Sequence, residues 1–349
     1  MLVGTYNTYA QSNTPKYSNE FLSIGIDARA FGMSGAFTAV SSGVTSAYWN
    51  PAGLLDSENK YDVSLLHANY FGGIANYDYA GFSTKIDSIS SLAISVIRFA
   101  VDDIPDTRFL YDANGALNYD NIRFFSAADY AFIFSYARKL KVLKGIDFGG
   151  NFKIVHRKVG NFANAWGYGL DIGVKKTFKS WGLGLMIRDA SGTFNTWSLN
   201  SELLIDIYTQ TGNEIPENSI EVTLPKTYLG VYKSFRYKNK FGALLSVDLE
   251  ASFDGQRNTL ISADPISLDP KIGMEFDYKK QFFLRGGIGQ FQKVKNFDGT
   301  SNQTFQPNFG LGIKIKRVHI DYALTDIGDQ AESLYSHVIS IKASFNDKK

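Results

Sequence analysis

Four histidines, His67, His156, His319 and His337, are the first side chains in this sequence that could hold a metal or move a proton. None stands at metal-ligand spacing from another. His319 and Asp321 lie two residues apart and would share one face of a strand, where a contact within a polar wall is the plainer reading. Ser336 and His337 are adjacent, point to opposite faces and cannot act as nucleophile and base. The run Gly286-Gly287-Ile288-Gly289 has the glycine density of a phosphate loop, but it stands inside an alternating segment with no helix after it. Asp254, Asp264 and Asp269 could offer oxygens to calcium from one loop, at a spacing unlike an EF-hand. The chain contains no cysteine, which removes disulfides, thiolate metal sites and a lipidated cysteine together. The expectation is a protein that is not an enzyme, with no catalytic residue, metal or cofactor.

The segments that carry these residues alternate with period two. In the last of them Ile339, Ile341, Ala343 and Phe345 share one face, and Ser336, Ser340, Lys342 and Ser344 the other. Phe309, Leu311, Ile313 and Ile315 alternate likewise with Asn308, Gly310, Gly312 and Lys314, as do Val318, Ile320, Tyr322 and Leu324 with His319, Asp321, Ala323 and Thr325. Such strands have one oily and one polar face. Alternation and breaks place them at 61–70, 77–86, 90–100, 128–139, 145–157, 165–177, 180–190, 225–236, 239–253, 270–279, 281–293, 306–316, 317–326 and 335–345. The even count of fourteen predicts an all-β fold, a transmembrane up-and-down antiparallel β-barrel. Segment 90–100 alternates poorly, and with Val101-Asp102-Asp103 after it marks the expected place for a kink.

Composition agrees. No run of about 18 apolar residues is present, so helices do not span a bilayer here. The mean hydropathy of −0.15 does not distinguish a soluble protein from a barrel, whose strands carry two unlike faces. Aromatics make up 15% of the chain, with 20 Tyr and 27 Phe, enough for interfacial girdles. A net charge of +2 argues against nucleic acid as a partner.

Connections sort by parity: 87–89, 140–144, 178–179, 237–238, 280 and 316–317 are short, and those between them longer, above all 101–127 and 191–224. Short periplasmic turns with longer extracellular loops are the outer-membrane arrangement. Lys139, Lys141, Lys144, Lys176, Lys179, Arg236, Lys238, Lys240, Lys279, Lys280, Lys316 and Arg317 crowd the short-turn end, whereas Asp102, Asp103, Asp106, Asp112, Asp120, Glu202, Asp206, Glu214, Glu217 and Glu221 fall in the long loops. The inward parity is rich in glycine, from Gly149 to Gly312, as expected either where another backbone presses on the wall or where curvature needs room. Inward charges, among them Lys153, Asp171, Arg188, Asp248, Glu250, Glu275 and Arg285, are expected to pair with one another or with whatever fills the barrel.

Residues 21–58, ahead of the first strand, are rich in small residues, with short helices expected at 28–33 and 45–48 and a turn at Asn50-Pro51. Such a segment makes a natural plug. Residues 1–20 read as the remnant of a signal peptide, with Thr8-Tyr9-Ala10 at its cleavage end, and a tail; residues 59–349 form the barrel. The run Asp27-Ala-Arg-Ala-Phe-Gly-Met-Ser-Gly-Ala-Phe37, with Ala47-Tyr-Trp-Asn-Pro-Ala-Gly-Leu54, resembles the N-terminal signature of the PorV/PorQ family of Bacteroidota, within the FadL-like outer-membrane barrels. The C-terminal strands from Phe309 to Phe345 share the likeness. The resemblance implies an N-terminal hatch inside the lumen, with Asn50, Pro51 and Ala52 as its Asn-Pro-Ala motif and Arg29, Gly32 and Gly35 as the segment before it.

The function this implies is that of a non-catalytic subunit of a larger outer-membrane complex, type IX secretion first, in the outer membrane of a Gram-negative bacterium. Phe109, Leu110, Tyr111, Phe194, Trp197, Leu203, Leu204 and Ile205 in the long loops would bind partner proteins, and outer-membrane lipids would surround the wall. One rival is a FadL-like transporter with a hydrophobic small molecule as partner, an apolar pocket between loops and hatch, and a lateral opening at a kinked strand. Another is an accessory subunit of the barrel-assembly machinery.

Overall fold

A computed structural model describes residues 18–112, 114–140, 145–211, 214, 218–295, 299–325 and 335–346. The expectation for Thr8-Tyr9-Ala10, and Lys141, Lys144 and Glu217, lie outside these residues. Sixteen strands follow in order: β1 Tyr61–Tyr70, β2 Ala75–Lys85, β3 Ser90–Asp106, β4 Arg123–Lys139, β5 Asp147–Val159, β6 Ala163–Thr177, β7 Trp181–Arg188, β8 Thr193–Leu199, β9 Ile220–Thr223, β10 Lys226–Tyr237, β11 Phe241–Ser252, β12 Ser267–Tyr278, β13 Phe282–Lys295, β14 Ser301–Ile315, β15 Val318–Thr325 and β16 Ser336–Phe345. β7 and β8 are two parts of one stave, both paired to β6, and β9 and β10 are two parts of the next. Among the described residues, sixteen strands therefore make fourteen staves, closed by β1 on β16 and β5 on β6.

Closure is what the solvent demands, because in hydrocarbon every strand-edge amide must find a partner within the protein. Period-two alternation then sorts the side chains. Large apolar groups stand exposed on the outside of every strand, for example Leu65, Phe82, Phe134, Phe152, Leu185, Leu245, Leu284, Leu311 and Ile341. In water each would forgo about 1.5–3 kcal/mol of burial, whereas lipid removes that penalty. Asp171, Asp248, Glu275, Arg285 and Asp321 take the inner parity and are buried.

Several expectations need correction. Two connections at the long-loop end are short, at 71–74 and 160–162. The wide gaps are narrower than read, because β3 runs on to Asp106, β4 starts at Arg123, and 191–224 contains β8, a helix at Ser201–Thr211 and β9. Phe194 and Trp197 therefore lie on a strand, not in a loop. The predicted kink near residue 101 is only a bulge, with Asp103 at φ 56° and pairing resumed at Ile104 opposite Phe125. A larger interruption falls elsewhere, where 189–192 and 224–225 both leave the ladder at the same height between Arg188↔Lys226 and Thr193↔Thr223.

Candidate functional site: the lumen and its hatch

The hatch enters the lumen near the wall interruption, where Asn19 Nδ2 donates to Thr223 Oγ1 at 2.7 Å and the Thr223 hydroxyl donates to Ser18 Oγ at 2.8 Å. Two short helices follow, α1 Ala28–Gly32 and α2 Ser46–Trp49, then a 3-10 turn at Pro51–Asp56; the helix Ser201–Thr211 between β8 and β9 is α3. Helices of four and five residues are too short to hold themselves in water, so side-chain caps and the wall must hold them. Asp27 Oδ1 accepts from the Arg29 amide at 3.0 Å. Asn50 Oδ1 accepts from the Ala52 amide at 3.2 Å, and Pro51 opens the turn where its missing N–H costs nothing. The Asn50 side-chain amide is shared among the carbonyls of Val174 (3.1 Å), Thr38 (3.2 Å) and Leu185 (3.4 Å), so one fully buried side chain joins two hatch segments to two staves.

Glycines let these backbones touch the wall. A Cβ on Gly149 would lie 2.5 Å from the Pro51 carbonyl carbon and closer still to the Ala52 nitrogen. A Cβ on Gly32 would lie 2.9 Å from the Gly310 Cα, so α1 crosses β14 backbone to backbone. Gly173 faces Asn50 and Pro51, Gly184 and Gly230 face Thr38 and Ala39, and Gly273 and Gly287 face Met33. Gly167, Gly169, Gly182, Gly242 and Gly312 instead make room for wall side chains, Asn195, Thr193, Tyr232, Asp277 and Asp321. Gly35, at φ 73°, turns the chain beside Trp49.

Charge completes the attachment. Glu275 accepts from Arg29 at 2.7 and 2.8 Å and from Arg285 Nε at 2.7 Å, and Arg285 Nη1 donates to Asp321 at 2.7 Å. Burial disfavours the Arg29 cation, but the adjacent Glu275 carboxylate outweighs it and raises the Arg29 pKa. Burial, then the Asp321 charge, pushes the Asp27 carboxyl above its ordinary range. Asp248 accepts from the amides of Phe37 (3.0 Å) and Thr38 (2.7 Å). Arg188 donates to the carbonyls of Leu22 (3.2 Å) and Tyr48 (3.3 Å). Lys175 holds the Ser41 carbonyl and the Asp56 carboxylate, both at 2.6 Å. The inward charges read from the sequence thus pair with the hatch or each other: Lys153 with Asp171 and Asp189, Arg157 with Asp129, and Glu250 with Lys271. Asp129, Lys175, Asp189 and Lys271 escaped that reading, although Lys175 shares the parity of Asp171 and Gly173. The His319 and Asp321 pair does not form, since Arg285 holds Asp321.

The hatch separates two cavities. On the long-loop side about 240 Å³ is bordered by Ile24, Phe31, Tyr48, Trp49 and Tyr228, with Arg188, Lys271, Gln290 and Gln306 among the polar groups. On the short-turn side about 380 Å³ is polar, with Asp27, Arg29, Glu275, Lys314, His319 and Lys342 on its walls. The predicted loop-side pocket is therefore aromatic and polar together rather than purely apolar. Phe109 and Tyr111 in the 107–122 connection, and Leu203 and Ile205 on α3, are exposed; Leu110 and Leu204 are half-buried. The Leu203 carbonyl accepts from Arg108 Nη1 at 2.9 Å, which ties α3 to that connection. Phe194 faces outward on β8, while Trp197 donates to Glu221 at 2.9 Å and lies under the Arg157 guanidinium.

Comparison of the sequence with protein-family models and with curated proteins finds no match. Solved structures do match over nearly the whole chain. The Ralstonia pickettii toluene transporter TbuX is 14% identical with a TM-score of 0.54, over 92% of this chain and 99% of that one. The CymD monoaromatic hydrocarbon channel is 12% identical at 0.57, over 93% and 98%. A Pseudomonas aeruginosa FadL homologue is 11% identical at 0.53, over 92% and 98%. With a closed barrel of fourteen staves and an N-terminal segment packed into its lumen, the chain has the fold of the FadL-like outer-membrane barrels.

Proposed function

We propose that this protein lets small hydrophobic molecules through the outer membrane and is held closed by its hatch. The cavity on the loop side of the hatch carries the reading. Ile24, Phe31, Tyr48, Trp49 and Tyr228 offer ring faces and an aliphatic edge to one small solute, within a lining that also carries polar groups such as Glu20, Gln290, Gln306 and Asn308. Its cations are already engaged, Arg188 with Tyr48 and the Leu22 carbonyl and Lys271 with Glu250, which leaves little for an ionic solute. The activities named for the neighbours, toluene transport and a monoaromatic hydrocarbon channel, agree with an apolar solute.

Trp49 provides the test. With Trp166, Trp181 and Trp197 replaced by phenylalanine, titration with toluene is expected to change Trp49 emission saturably, and Ile24→Asp to abolish the change. A response that rises linearly, with no saturation and no effect of Ile24→Asp, would count against the cavity.

The subunit reading, in type IX secretion and in Bacteroidota, draws on the PorV/PorQ resemblance of residues 27–37 and 47–54. One observation favours it: Phe109, Tyr111, Leu117 and Tyr119 are exposed in the 107–122 connection outside the strands, and Arg108 of that connection bonds the Leu203 carbonyl of α3, where Leu203 and Ile205 are exposed too. A hydrocarbon conduit has no need of such a surface, whereas a protein partner would cover it.

A further inference from the structure

Gly149 and Gly150 are consecutive on β5, so the first faces the hatch and the second faces lipid. On that outer face Gly150 interrupts the row from Phe148 to Phe152 and opens a groove of about 800 Å³, walled by Phe82, Leu92, Ile94, Phe134, Tyr136 and Phe152. Register sets its direction. Tyr136, Gly150 and Ile172 form one row across β4, β5 and β6, and Arg138, Phe148 and Val174 the next row towards the short turns. Arg138 is outward and exposed at the end of β4. Lys176 ends the outward row of β6, its Nζ 5.4 Å from the centre of the Phe178 ring. Strand spacing puts β4 and β6 about 10 Å apart, and Lys176 stands one row, about 7 Å, nearer the short turns than Arg138, so their Cα atoms are about 12 Å apart, within reach of one phosphate for two long side chains. Asp87, a carboxylate whose charge feels Arg138, is held in its own turn by the Ile89 amide at 2.8 Å and the Ser90 hydroxyl at 3.3 Å.

An apolar slot in the membrane that ends between two cations at head-group height has the chemistry of an anionic phospholipid site. We propose that the groove binds an anionic phospholipid of the periplasmic leaflet, with an acyl chain over Gly150 and the phosphate between Arg138 and Lys176. The proposal rests on the membrane-barrel reading and not on what the lumen carries.

Native mass spectrometry of the full chain, stripped in detergent and then given phosphatidylglycerol or phosphatidylethanolamine, tests it. The expected result is one retained phosphatidylglycerol per barrel, no retained phosphatidylethanolamine, and at least tenfold less retention in Gly150→Leu and in Arg138→Gln with Lys176→Gln. Gly150 tolerates a side chain, since a Cβ there meets only the Asp171 carbonyl at 3.5 Å, and a heat-modifiable gel band checks folding. If Gly150→Leu does not fold, the double variant at the rim carries the test. Equal retention of both lipids, or undiminished retention in folded variants, would overturn the proposal. A wild-type chain without a heat-modifiable band would instead overturn the membrane-barrel reading.

Discussion

Glu275→Ala is expected to unseat the hatch and make the barrel conduct ions. Glu275 points inward from β12 and is the shared acceptor of Arg29 on the hatch and Arg285 on the wall, at 2.7–2.8 Å. Without it two guanidinium groups face each other, with Asp321 left to serve Arg285. Removing one partner of a buried ion pair costs about 3–5 kcal/mol, and because Arg29 keeps some access to the short-turn cavity the lower end applies. The midpoint of thermal unfolding on a gel should fall, and single barrels in planar bilayers should pass from closed to conducting. Glu275→Gln keeps the acceptor without the charge and should fall between. An unaltered midpoint and a closed lumen would show that the remaining contacts hold the hatch without this carboxylate.

Gly149→Leu should displace residues 50–52 from the wall, whereas Gly150→Leu, one residue on, should leave the hatch in place. The contrast follows from strand parity alone. At 149 the new Cβ would stand 2.5 Å from a backbone carbon of Pro51, where no flexible side chain can yield, while at 150 it points into the outer groove. Overpacking of this kind costs about 1–3 kcal/mol, and loss of the Asn50 contacts to Val174 and Leu185 adds to it. Limited proteolysis of the folded barrel should cut within residues 20–58 in Gly149→Leu and spare both the wild type and Gly150→Leu. Equal protection of both variants would mean that the hatch does not depend on backbone contact at this wall.

The staves were readable because lipid keeps their outer faces apolar, as with Phe309, Leu311 and Ile315 against the buried Asn308 and the inward Gly310 and Gly312. Beyond the bilayer that constraint ends. β8 alternates Phe194, Thr196 and Ser198 outward with Thr193, Asn195 and Trp197 inward, a pattern with too little hydrophobic contrast to declare a strand, and so it read as a loop. The weak alternation of β3 has the opposite cause. Its inner face carries Ala93 and Ile97 because the apolar side of the hatch, with Ala47 and Leu54 against Ala93, rests there. The interruption at 189–192 was hidden because Asp189 resembles any loop aspartate until Lys153, on a stave two along, is seen to hold it at 2.6 Å. Inward glycines signalled that something presses on the wall, but only the fold shows which of them face the hatch and which face Asn195 or Asp321.

Uptake of radiolabelled toluene by cells of a host stripped of its own hydrocarbon channels tests the central claim most directly. Cells with the folded protein in their outer membrane should take up toluene in a saturable way and faster than the empty-vector host, with Ile24→Asp returning uptake to the vector level. Uptake no faster than the vector, from a barrel shown to be folded and inserted, would contradict the account.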